Sequence, residues 1–273
     1  MSFFEADRPL VFAHRGGCAL GPENTLLAFD RGLAAGADGL ELDVHLSADG
    51  IPVVHHDETL DRTTNASGPI RARTAAELRQ MNAACRFAGG LQSGETVDPS
   101  LTGVPTLRDV LCRYPEARVI VEMKVDSPAM GLAVARDIRD CRAIERVCAA
   151  GYGTASLRTV REALPGLATS ASYPEVRFAL YRSWVRWPVR RVPYTGYQVP
   201  EYAGGLRVVS PVFIRHAHAR GLKVQVWTVD DEADMRRLLG WGADAVITNR
   251  PGDARAICDA RIDGGRGTAN GTR

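Results

Sequence analysis

The sequence predicts a single (β/α)8 barrel of the TIM type. Three observations carry this expectation. Short apolar segments alternate with amphipathic ones from residue 10 to residue 248, the pattern of a parallel sheet covered by helices. Counting from 10–15, about eight such segments occur, with 51–56 as an extra return strand, and eight is the number a closed barrel needs. No strand leads into a GxGxxG turn, so the doubly wound dinucleotide-binding sheet, the main alternative, lacks its fingerprint.

With 273 residues and 45% hydrophobic content, the chain can fill one large α/β core. Residues 1–262 are assigned to that domain. The Gly-, Thr-, Asn- and Arg-rich stretch 263–273 is expected to be a disordered tail. A net charge of +2 demands no nucleic acid or acidic partner. No apolar run is long enough to span a bilayer. Residues 1–9 lack the basic start and apolar stretch of a secretion signal. None of the six cysteines sits in a CxxC pair, so reduced thiols and a cytoplasmic location are expected.

Leu10–Ala13 reads as a buried strand that ends in His14-Arg15-Gly16. It presents a titratable ring and a fixed cation at one edge of a core, and Gly16-Gly17 lets backbone approach a ligand. Pro22-Glu23-Asn24-Thr25 is read as the first turn of the next helix. Gly39–Leu46 alternates, with Glu41, Asp43 and His45 on one face and Leu40, Leu42, Val44 and Leu46 on the other. A single alternating strand is usually a solvated sheet edge. Here the apolar flanks indicate burial, and buried carboxylates on one face repel unless a cation joins them. An oxygen-rich, cysteine-free set points to a hard divalent ion, Mg²⁺ or Ca²⁺. His45 is expected to project past this site into solvent. Asp49-Gly50 makes a hairpin turn, and on the return strand His55 and His56 must face opposite ways.

Residues 58–106 carry weak periodicity apart from a helical piece near Ala75–Met81. They are expected to form an insertion on the barrel that shapes the pocket. Thr106 is a candidate N-cap for the following helix. Val119–Lys124 is a strand with Glu122 and Lys124 on one face. Helices are expected over 128–140, 157–164, 175–187, 210–220 and 231–240. Strands are expected over 146–151, 167–172, 196–199, 223–229 and 244–248. Arg182, Arg186, Arg190 and Arg191 beside Trp184 and Trp187 would suit an anionic membrane. The favoured reading is a solvated arginine face with tryptophans packed on the barrel, at the end opposite the site.

These pieces together resemble the glycerophosphodiester phosphodiesterase family. The matching segments are His14-Arg15-Gly16, Pro22-Glu23-Asn24-Thr25, Glu41-Leu42-Asp43-Val44, Pro52–Asp57, Leu60–Thr64, Val121–Lys124, Val226–Val229 and Ile247–Pro251. They occur in order and cover nearly the whole chain. The resemblance implies one divalent cation and hydrolysis of a glycerophosphodiester to glycerol 3-phosphate and an alcohol. By position it makes His14 and His56 the acid/base pair and Glu41, Asp43 and Glu122 the metal ligands. Arg15 and Lys124 become phosphate contacts, and Trp227 a wall against the glycerol or leaving group. Where the family often has Ser-Phe after the fourth strand, this chain has Gly151-Tyr152, which bears on the pocket and not on the chemistry. A lysophospholipase D acting on lysolipids is the second reading. A binding protein without catalysis is the third, and the intact histidines and carboxylates speak against it.

Overall fold

The register of three neighbouring strands decides where the polar groups meet. The computed structural model describes residues 3–89, 97–187 and 191–269. Strand β1 (Leu10–His14) pairs in parallel with β2 (Gly39–Leu46), placing Phe12 beside Gly39 and His14 beside Glu41. Strand β2 in turn pairs with β4 (Arg118–Met123), placing Asp43 beside Glu122. Between them in sequence, β3 (Pro52–Val54) returns antiparallel on β2. The parallel series continues through β5 (Val147–Ala150), β6 (Ala168–Thr169), β7 (Gly196–Pro200), β10 (Lys223–Trp227) and β11 (Ala245–Thr248), which rejoins β1. A small hairpin, β8 (Tyr202–Ala203) and β9 (Leu206–Arg207), follows β7.

The result is a nearly closed eight-stranded parallel barrel. The seam lies between β6 and β7, where the pairing reduces to one bridge, Ser170 with Gly196, and two flanking backbone hydrogen bonds, Thr195 to Thr169 and Ala171 to Gly196. Strand β6 has two residues where six were expected; of the ladder Ser170 keeps only its bridge and its bond to Ala149, and Ser172 caps the next helix.

Side-chain alternation sorts the residues. Leu10, Phe12, Ile120, Cys148, Ala245 and Ile247 fill the barrel interior, and Phe3 stacks on Phe12 at 5.7 Å to plug its floor. Gly39 is small because a Cβ there would lie 2.8 Å from the Phe12 ring. The alternate residues of the same strands, Ala13, Leu40, Leu42, Val44, Val119 and Val121, pack outward against the helices. These are α1 (Leu26–Ala34), α2 (Ala75–Arg79), α3 (Leu107–Arg113), α4 (Pro128–Asp140), α5 (Ala155–Ala163), α6 (Tyr173–Trp184), α7 (Pro211–His218), α8 (Glu232–Gly240) and α9 (Pro251–Ala269). Thr106 caps α3 as expected, in a capping box with Asp109. The expected tail at 263–273 overlaps the last turns of α9, and residues 270–273 lie outside the described residues.

The helix-side core is in two parts. One gathers β2, β4 and α3 to α5. The other gathers β7, β10 and α6 to α8. The 58–106 insertion adds a satellite cluster in which Leu60, Ile70 and Leu78 pack on Val53 of β3.

Candidate active site

At the C-terminal end of the barrel strands lies a cavity of about 310 Å³. Its polar end carries His14, Arg15, Glu41, Asp43, His56, Glu122 and Lys124, and Trp227 stands in its wall. Every residue singled out in the sequence as a site residue therefore faces one space. Carboxylate oxygens of Glu41, Asp43 and Glu122 all lie within 4.8 Å of one another. Glu41 and Asp43 are buried, Glu122 partly so. Burial, and then the neighbouring Asp43 and Glu122 charges, push the Glu41 carboxyl well above its ordinary range. Three oxygens this close, with no thiol, suit a hard divalent cation, which would remove that repulsion. Lys124 bridges two of them, with Nζ 3.0 Å from Glu122 and 3.2 Å from Asp43. Burial lowers the Lys124 ammonium's affinity for its proton, but the two carboxylates outweigh this and raise it.

Arg15 sits in the left-handed region at φ 51°, just before Gly16 and Gly17. A Cβ on Gly16 would clash with Ala28 at 2.7 Å. This turn aims the Arg15 backbone N–H at Glu41 (3.1 Å) and its guanidinium at Glu23 (2.9 Å). Its buried Nε stands 3.3 Å from Asp43 without hydrogen-bond geometry. That leaves a donor for an anionic oxygen.

The two histidines differ in their second nitrogen. Asn249 donates from Nδ2 to Asp230 at 2.7 Å, so its Oδ1 faces His14 Nδ1 at 2.8 Å and accepts from it. The His14 Nε2 lone pair is then free. Burial lowers the His14 pKa despite the Asn249 bond, which keeps that lone pair available near neutrality. His56 donates from Nδ1 to the Asp57 carboxylate at 2.6 Å. Arg62 grips the same carboxylate and also holds Glu23 with both Nη atoms, at 2.7 and 2.8 Å. Burial alone would raise the Glu23 carboxyl, but Arg62 and Arg15 hold it down at about 2.

Several expectations need correction. His45 is not in solvent: it is buried on the inward face of β2, and its Nε2 donates to the His56 carbonyl at 3.0 Å. It positions the loop that carries His56. Helix α1 starts at Leu26 with Thr25 as its cap, so Glu23 and Asn24 precede the helix. Asn24, at φ 59°, donates to Asp43 at 2.9 Å. Among the described residues none of 58–106 lines the cavity; the insertion acts at one remove through Arg62. Helix α6 and the β8–β9 hairpin shape the cavity instead. Trp184 and Trp187 are exposed rather than packed on the barrel, whereas Arg182 is buried with its guanidinium over the Phe178 ring. His55 faces away as expected, with its ring between the Asp57 carbonyl and Thr63 Oγ1.

Asn249, Asp230, Asp57 and Arg62 were missed as site residues, because their partners are far away in sequence or lie in a loop without periodicity. Arg62 is a positioning residue: its contacts are with Glu23 and Asp57. Arg62→Ala should leave the fold intact and lower turnover by about 10- to 100-fold, with Arg62→Lys recovering only part, since a lysine cannot span both carboxylates. Parallel circular dichroism and steady-state kinetics check this; unchanged turnover in Arg62→Ala would refute it.

A profile of the glycerophosphoryl diester phosphodiesterase family matches residues 14–253. The chain belongs to that family. It is 33% identical to a glycerophosphodiester phosphodiesterase of Caldanaerobacter subterraneus subsp. tengcongensis over 89% of this chain and 95% of that one. It is 30% identical to a Bacillus subtilis glycerophosphodiester phosphodiesterase over 90% of this chain and 85% of that one. Among solved structures, a putative glycerophosphoryl diester phosphodiesterase from Silicibacter pomeroyi superposes with a TM-score of 0.76, 26% identity and 95% coverage of both chains. A phosphodiesterase of Oleispira antarctica, solved with its product sn-glycerol-3-phosphate, superposes at 0.73 with 25% identity, covering 94% and 97%. The phosphodiesterase family thus accounts for the barrel and for the order of the motifs.

Proposed function

We propose that this chain hydrolyses glycerophosphodiesters to glycerol 3-phosphate and an alcohol, with Glu41, Asp43 and Glu122 holding one divalent cation, Mg²⁺ or Ca²⁺. The observation that carries this reading is the meeting of three carboxylates, two cations and two histidines with different Nδ1 partners at one end of the cavity. A bound cation supplies positive charge to the phosphate oxygens and lowers the barrier to attack on an anion. Arg15 offers the phosphate its unpartnered Nε, and Lys124 a point charge. Both act where negative charge builds up as the new P–O bond forms. His14 takes on Nε2 a proton of the attacking water, whose oxygen forms the new P–O bond, while Asn249 fixes its tautomer. His56 gives a proton to the departing alcohol oxygen, and Asp57 holds its ring in place. Trp227 packs against the organic part of the substrate.

A second reading, cleavage of lysophospholipids, is favoured by the far end of the cavity, where Val176, Leu180, Val199 and Val208 form an apolar wall that a small polar alcohol leaves unused. Glycerophosphocholine and lysophosphatidylcholine, assayed side by side with and without added Mg²⁺ or Ca²⁺, separate the two. Absence of turnover on any glycerophosphodiester at saturating cation would sink the first reading. We place the activity in the cytoplasm, where six free thiols persist; fractionation finding the native protein outside the cell would overturn that. Among the described residues no helix is long and apolar enough to cross a membrane.

A further inference from the structure

We propose that the rim of the cavity, formed by α6 and the β8–β9 hairpin, is a docking face for an anionic lipid surface, from which the enzyme draws an amphiphilic phosphodiester. The proposal rests on the phosphodiesterase reading of the site. It starts from an apolar patch that the fold leaves uncovered. Tyr152, Tyr173, Phe178, Tyr181, Trp184 and Leu206 are each 45–62% exposed. Single exposed apolar residues are ordinary; a contiguous group is not. Five of the six are linked, and Phe178 lies on the same helix as Tyr181 and Trp184. The Tyr173 N–H donates to the Tyr152 carbonyl, the Tyr181 and Trp184 rings meet edge to face at 5.3 Å, and Tyr173, Tyr181 and Leu206 also wall the cavity. The patch therefore borders the cavity beside its apolar wall, and at Tyr152 it also reaches the charges of Glu122, Lys124 and Asp43. An amphiphile whose chain rests in a lipid layer can reach the polar groups from this rim.

Charge selects the partner. Helix α6 carries Arg177 and Arg182, and its one acid, Glu175, is paired with Arg161. Arg177 lies over the Tyr173 ring at 5.8 Å, on the cavity wall, a pairing of cation and aromatic suited to the headgroup layer. Each such cation near an anionic leaflet adds to the attraction. A second copy of the chain fits less well, because a two-fold contact through this face would set Arg177 of each copy against like charge. The position of the patch removes the ground on which membrane contact was set aside: α6 follows β6 at the site end and lines the cavity along its length, not only at the opposite end of the barrel.

The test uses the full chain and vesicles of phosphatidylglycerol with phosphatidylcholine, or of phosphatidylcholine alone. Sedimentation should carry the protein down with the anionic vesicles, less with the neutral ones and less at high salt. Phe178 and Trp184 are exposed and do not line the cavity, so the double variant Phe178→Ser with Trp184→Ser should fold normally. It should keep its turnover of soluble glycerophosphocholine and lose vesicle binding on the order of tenfold or more. Wild-type protein that stays in solution with anionic vesicles would overturn the proposal. So would a variant that binds as wild type does, or a wild-type dimer in solution that the double variant abolishes. Failure of the functional reading appears separately, as absent turnover in protein that still binds vesicles.

Discussion

His14→Ala and His56→Ala should each lower turnover of glycerophosphocholine by about 10²- to 10⁴-fold at saturating cation, with circular dichroism unchanged. Each variant removes the one nitrogen left free for proton transfer, Nε2, while the partners of Nδ1, Asn249 and Asp57, remain. The two other histidines near the site set the contrast. His55 uses both ring nitrogens on the Asp57 carbonyl and Thr63, so His55→Ala should act on stability. Two partly buried partners lose their bond, at a cost of about 1 kcal/mol, read as a lower denaturant midpoint with modest change in rate. His45→Ala should fall between them, because its bond to the His56 carbonyl holds the loop and not the proton. A folded His56→Ala protein with near-normal turnover would refute the assignment.

Chelation should abolish activity, and Mg²⁺ or Ca²⁺ should restore it. The physical signature lies in stability as well as in rate. Burial and the adjacent carboxylates raise the Glu41 pKa above its ordinary value of 4.5. In the cation-free protein the folded state therefore keeps a proton that the unfolded state releases, so cation-free stability declines as pH rises above that value. A bound cation takes the place of the proton, and its affinity strengthens as pH rises. The gain in Tm on adding cation should widen from about pH 5 to about pH 8. Glu41→Gln removes one of the three charges without changing shape. It should lower turnover by about 100-fold or more, raise or preserve the Tm of the cation-free protein, and erase the gain from cation. Activity that survives exhaustive chelation, or an undiminished thermal response in Glu41→Gln, would count against the site.

Much of this arrangement was legible in the residues. The alternation of Gly39–Leu46 separates Glu41 and Asp43 from Leu40 and Leu42 by face alone, and the barrel merely chooses which face looks inward. His14 and Glu122 stand at strand ends for the same reason. What periodicity cannot carry is anything set by a loop or by register between distant strands. Asn249 meets His14 only because β11 closes on β1. Arg62 reaches Glu23 across a stretch that has no repeat to read. Glu23 and Asn24 look like helix-start residues by composition, yet Thr25 is the cap and frees both for the site. His45 was misplaced because its neighbour in space, the His56 carbonyl, belongs to the returning hairpin. Trp184 and Trp187 were misplaced because large aromatics are usually core residues, and among the described residues no element covers them.

The thin seam between β6 and β7 divides the molecule in a way the closed ring conceals. Each half-barrel keeps its own helix-side core, and they meet across β1 and β11 on one side but across a single bridge on the other. Local opening follows the weakest boundary, so amide protons near Thr169, Ala171, Thr195 and Gly196 should exchange with solvent well before those of β1, β2 and β4. Ser170 and Ala171 also line the cavity beside the apolar wall. Exchange in that order would place the barrel's weakest edge beside the apolar wall and its firmest strands under the carboxylates.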